Sequence, residues 1–110
     1  MTRNRKWLLG GAFLILAGVF GAAWAGSMVV VQQKNLSFGT DQLTVKAGDV
    51  VRFDNMDTTS HNIIITGDGV KLNSGLQQPN VSFSAPMIKK GTYQVMCGIH
   101  PKMKMTINVE

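Results

Sequence analysis

The sequence predicts an all-β fold, either a two-sheet sandwich or a small barrel, built by the residues after Ala25. Three observations carry this. No helical period persists over about ten residues beyond that point. Apolar and polar residues alternate instead in short runs, as in "DVVRFDN" (Asp49 to Asn55) and "TYQVMC" (Thr92 to Cys97). Glycine, asparagine, aspartate and proline, which turn the chain, bound these runs.

Residues 1–25 stand apart. A basic opening of Arg3, Arg5 and Lys6 precedes a nearly unbroken apolar run from Trp7 that ends in Ala23-Trp24-Ala25. This is the pattern of a signal peptide with an A-x-A exit, and it predicts cleavage after Ala25 and export to the periplasm. Left uncut, the same run is near the ~20 residues that cross a bilayer, so it would serve as an anchor. Asn4 separates Arg3 from Arg5, which does not fit a twin-arginine signal.

The remaining residues 26–110 are read as one domain. They carry eight Lys and Arg against six Asp and Glu, a net charge of +2 rather than the +5 of the whole chain. Much of the basicity thus belongs to the export segment, which removes the main support for nucleic-acid or membrane-surface binding. With one cysteine the chain has no intrachain disulfide, although an exported domain this small often needs a staple.

The strands are expected in this order. "SMVVVQQ" (Ser27 to Gln33) comes first, followed by "LTVK" (Leu43 to Lys46) and "DVVRFDN", which are joined through Ala47 and Gly48. Val51 and Phe53 then share one face, with Val50 and Arg52 on the other. "HNIIIT" (His61 to Thr66) runs into the Gly67-Asp68-Gly69 turn, and residues 67–80 are expected to be mostly loop. "VSFS" (Val81 to Ser84), "TYQVMC" and "MKMTINV" (Met103 to Val109) bring the total to about seven, which suits a sandwich or barrel. On the last two strands, Tyr93, Val95 and Cys97 share a face, as do Met103, Met105, Ile107 and Val109.

That alternation gives "CGIHPKM" (Cys97 to Met103) its interest. Cys97 and Met103 can both face inward at adjoining strand ends, with His100 in the loop between them. A thiolate, a thioether and an imidazole are a soft donor set that favours copper over magnesium, calcium or manganese. A blue-copper centre needs two histidines, one cysteine and a weak axial methionine. If the His61 strand lies beside the Cys97 strand, the set closes as His61, Cys97, His100 and Met103, using every histidine and cysteine of the chain. Met105, Met96 and Met87 compete for the axial place; Met105 is expected in the core and Met96 on the opposite face from Cys97.

The segments "LTVKAGDVVRFDN" (Leu43 to Asn55), "SHN" (Ser60 to Asn62), "GTYQVMC" (Gly91 to Cys97) and "CGIHPKM" resemble, in order, segments of the cupredoxin family, in particular its plastocyanin and amicyanin group. The resemblance spans nearly all of residues 36–110 and departs most over 66–80. The short C-x-x-H-x-x-M spacing with Pro101 is similar to the amicyanin loop. The resemblance implies a Greek-key β-sandwich and one type 1 copper held by His61, Cys97 and His100, with Met103 axial. It also implies a backbone N–H of Asn62 directed at the Cys97 sulfur.

The function implied is that of a monomeric, exported one-electron carrier that docks with redox partner proteins and turns over no substrate. Copper delivery or sequestration by the same residues is the alternative, although an enclosed ligand set argues against ready exchange. A multicopper enzyme would need further histidines, and a metal-free binding sandwich would stay colourless. Lys89, Lys90, Lys102 and Lys104 fit either a basic docking rim or, the reading favoured, lysines that discourage strand-edge pairing.

Overall fold

Alternation in the sequence becomes a burial pattern in the structure, a computed structural model that describes residues 26–110. The export segment expected over residues 1–25 lies outside the described residues. Eight strands form two sheets: β1 (Met28–Gln33), β2 (Gln42–Val45), β3 (Asp49–Asn55), β4 (Ile63–Gly67), β5 (Val70–Asn73), β6 (Ser82–Met87), β7 (Gly91–Cys97) and β8 (Lys104–Val109). One sheet has the order β1-β3-β6 and the other β2-β8-β7-β4-β5. The chain crosses between the sheets repeatedly, so β1 meets β3 and β2 meets β8 in parallel, while the remaining pairs are antiparallel.

The expected inward faces are the buried ones. Val51 and Phe53 on β3, Ile63 and Ile65 on β4, Tyr93, Val95 and Cys97 on β7, and Met105, Ile107 and Val109 on β8 meet in a single core. Phe53 lies between the edge of Phe38, 5.9 Å away, and the stacked ring of Phe83, 6.5 Å away. Met96 points outward and Met105 inward, as expected.

Two expectations need correction. The stretch 67–80 is not mostly loop, because Gly67 pairs with Val70 and the chain returns as β5 along β4. The turn residues Asp68 and Gly69 have φ of 46° and 78°, the left-handed pair that closes a two-residue hairpin. An Asp-Gly turn is the sequence sign of such a hairpin, and the polar composition beyond it masked the return strand. The strand begun at "VSFS" also continues through Pro86 to Met87. It lies at the edge of its sheet, where the missing N–H of proline is tolerated.

The lysine expectation fares unevenly. Lys89 sits 3.4 Å from Asp68 on the surface. Lys104 projects from β8, which lies between β2 and β7, so it guards no edge.

Two carboxylates near the ends of β3 hold neighbouring segments to it. Asp49 accepts the amides of Lys46 at 2.8 Å and Ser27 at 2.9 Å, and these bonds, the Lys46 one foremost, lower its pKa. Asp54 is lowered chiefly by the Arg52 guanidinium, 2.8 Å away, and then by the Ser82 hydroxyl. Because both folded values lie below the ordinary aspartate pKa of about 3.9, the unfolded chain takes up protons first as pH falls. The stability these groups contribute is present above that value and is lost on acidification through and below it. Urea midpoints of the metal-free protein are therefore expected to drop between about pH 5 and about pH 3, with a shallower drop in Asp49→Asn.

Candidate metal centre

The metal end is built by register. β4 and β7 pair with Ile63 opposite Cys97, which brings the residues just before Ile63 alongside the thiol. β7 and β8 stop pairing at Met96 and Lys104, and beyond them Cys97 N donates to Met103 O at 3.1 Å while Met103 N donates to His100 O at 2.9 Å. The residues between form a tight loop that turns His100 back toward Cys97.

The donor atoms converge. Cys97 Sγ lies 3.7 Å from His61 Nδ1 and 3.8 Å from His100 Nδ1, and all three atoms lie within 4.8 Å of one another. A first-row ion held at about 2.0 Å from nitrogen and about 2.3 Å from sulfur, with about 120° between the bonds, spaces each nitrogen about 3.7 Å from the sulfur. The nitrogen-to-sulfur spacings therefore fit a trigonal thiolate and imidazole site. His61 and Cys97 are fully buried, whereas His100 is only partly so. Met103 is buried at the far end of the loop.

The surrounding groups orient these donors. Asn62 N donates to Cys97 Sγ at 3.3 Å, the bond the resemblance implied, and Gly98 N donates to Asn62 O at 2.9 Å. The Asn62 side chain is held in turn by Asn73 Oδ1 and Gly75 O. His61 Nε2 lies 2.8 Å from Asp57 Oδ2. Burial opposes the charge of Asp57, but hydrogen bonds from His61 and from the Leu36 and Asn35 amides outweigh it and lower the carboxyl pKa. An ionised carboxylate only accepts, so Nε2 carries the proton and donates it, leaving the lone pair of Nδ1 to face the sulfur.

Asp57 was not among the residues singled out from the sequence, although a carboxylate four positions before a suspected metal histidine is a readable sign of such support. Gln77 gave no sign at all. It forms a two-way backbone bridge with His61, at 2.9 and 2.7 Å, outside any strand. Its buried side-chain amide donates to Phe53 O and Val81 O and accepts from Gln33 Nε2 at 2.8 Å. Asn55 Nδ2 donates to Gln77 O and Thr59 O, which closes the loop bearing His61.

Replacing Gln77 by leucine would leave the Gln33 amide unpaired in the interior and take the side-chain donor from Phe53 O, while Val81 O keeps the amide of Asn55 at 3.2 Å. At about 1–3 kcal/mol for each buried group left unpaired, partly relieved by local adjustment, a loss of about 3 kcal/mol is expected in urea unfolding of the metal-free protein. A loss under about 1 kcal/mol would show that the bridge to His61 does not depend on this amide.

Comparison with known proteins places the arrangement. Residues 25–110 match the family model described as copper binding proteins, plastocyanin/azurin family. The chain belongs to this family. Its relatives include amicyanin-alpha of Methylorubrum extorquens, 33% identical over 89 residues that cover 78% of this chain and 74% of the relative. Amicyanin of Paracoccus denitrificans is 30% identical over 90 residues, covering 78% and 68%. Among solved structures, a Cu(I) form of an amicyanin variant superposes with a TM-score of 0.70 at 26% identity, covering 82% of this chain and 89% of that one. An oxidised amicyanin variant gives the same TM-score and coverage at 29% identity. For a member of the plastocyanin/azurin family, the cluster of His61, Cys97, His100 and Met103 is typical of a type 1 copper site, and the cofactor is copper.

Proposed function

We propose that this protein is an exported, monomeric one-electron carrier, with His61, Cys97 and His100 as strong copper ligands and Met103 as the weak axial one. The observation that carries the reading is the convergence of two Nδ1 atoms on one buried, N–H-bonded thiol. When bound, copper supplies a Cu(II)/Cu(I) couple whose potential the axial ligand and the surroundings of the sulfur tune. The chain holds its donors rigidly: Asp57 fixes His61, Asn62 fixes Cys97, and the short loop fixes His100. Donors that stay in place on a change of charge favour electron exchange over release of the metal.

Partly exposed His100 reaches a shallow concavity of about 360 Å³ lined by Leu36, Ile99, His100, Pro101, Lys102 and Met103. An apolar mouth of this size suits brief docking with donor and acceptor proteins. Both histidines serve one centre, so the chain has none for a second copper and no substrate is turned over. Export to the periplasm is inferred from the basic opening and apolar run of residues 1–25, and sequencing the N-terminus of the isolated protein, expected at Gly26, tests it.

Copper-loaded protein is expected to show an intense visible thiolate-to-copper band, narrow hyperfine splitting in electron paramagnetic resonance, and fast reversible one-electron exchange. Folded protein that binds copper without the band would overturn the reading. Slow exchange with ready transfer of copper to an acceptor would favour delivery instead. Met103→Leu is expected to keep the copper and raise the reduction potential; if Met105→Leu does so in its place, the axial assignment fails.

A further inference from the structure

Asp57 does more than face His61. Between β1 and the buried Phe38, Asn35 and Leu36 occupy consecutive left-handed positions, with φ of 55° and 57°. Asparagine tolerates that region, but leucine seldom adopts it. Within the turn, the amide of Lys34 donates to Ser37 O at 3.0 Å, which closes it without requiring leucine at its centre. Successive amides in such a conformation point to one side and make a concave pair of donors suited to an anion.

Here the anion belongs to the protein itself. Asp57 Oδ1 accepts Asn35 N at 2.6 Å, and Oδ2 accepts Leu36 N at 3.0 Å while also receiving His61 Nε2 at 2.8 Å. One carboxylate thus joins the loop that carries His61, which leaves β3, to the turn that leaves the neighbouring strand β1. The side chain that this turn projects is Leu36, half exposed, which lines the same concavity as His100 and Met103.

We propose that Asp57 is a positioning residue that clamps the Asn35–Leu36 turn to the His61 loop, holding the Leu36 side chain over the ligand loop as an apolar shield against water. The shield matters because solvent access and the dielectric around a metal site set its potential. Water let in beside His100 and Met103 favours the more highly charged oxidised state, so loss of the shield lowers the potential. The consequence for potential rests on the copper-carrier reading; the clamp does not.

Hydrogen exchange tests the clamp on the metal-free full chain. In Asp57→Asn the amide side chain cannot accept both backbone N–H groups and His61 together, and the Asn35 and Leu36 amides are expected to exchange at least tenfold faster, with Val95 in the core unchanged. Equal exchange at Asn35 and Leu36 in variant and parent would overturn the clamp. Leu36→Gly tests the shield, because glycine suits a φ of 57° and removes the side chain without straining the turn. In copper-loaded protein it is expected to leave thermal stability intact while the potential shifts downward. An unchanged potential, with the visible band present, would overturn the shield, whereas absence of the band in the parent protein would strike the copper reading and leave the exchange result standing.

Discussion

Cys97→Ser is expected to abolish the intense visible band altogether and to weaken copper binding by more than the about 10–100-fold that losing an outer-shell partner costs. The band requires a thiolate, and a serine hydroxyl neither ionises near neutral pH nor offers a soft donor. Cys97 is fully buried between β4 and β8, so the hydroxyl must also find a partner in an apolar setting. Asn62 N, now 3.3 Å from the sulfur, can donate to it, which limits the folding cost to about 1–3 kcal/mol. The measurement is a copper titration followed by visible absorption, with circular dichroism of the metal-free variant as the control for folding. A band that survives in the folded variant would show that Cys97 is not the thiolate ligand.

The second large effect is on stability. Phe53→Ala is expected to cost about 3–5 kcal/mol in urea unfolding of the metal-free protein. Phe53 is fully buried on the central strand of the three-stranded sheet and contacts Phe38 edge-on and Phe83 in a stack. Its truncation opens a cavity that neither sheet can close, because β1 and β6 hold β3 in register on both sides. Against a typical total of about 5–15 kcal/mol, with no disulfide in support, that loss leaves a marginal domain. Phe83→Ala, at a partly buried position on the edge strand, is expected to cost less. A loss below about 1 kcal/mol for Phe53→Ala would mean the aromatic trio does not organise the core.

Much of this was legible in the order of the residues, for a simple reason. A strand's side chains alternate, so the buried faces of β3, β7 and β8 follow from their sequences alone. The Cys97 to Met103 loop was readable because its donors lie within seven residues, too close for the fold to separate them. His61 could be named as a soft-metal donor candidate, but its arrival beside Cys97 depended on a pairing that the local sequence does not encode.

Where reading failed, long-range contacts had decided the matter. β5 was missed because Val70, Leu72 and their polar neighbours do not form a convincing strand until β4 supplies the partner. Asp57 looked like one more polar loop residue until the turn of Asn35 and Leu36, about twenty residues earlier in the chain, was brought against it. Gln77 and Gln33, 44 residues apart, have meaning only as a buried pair. Pattern and donor chemistry, which are properties of neighbouring residues, specified the strand faces and the kind of metal. Pairing register and buried polar contacts, which exist only once distant segments meet, decided how the donors are aimed and what holds them there.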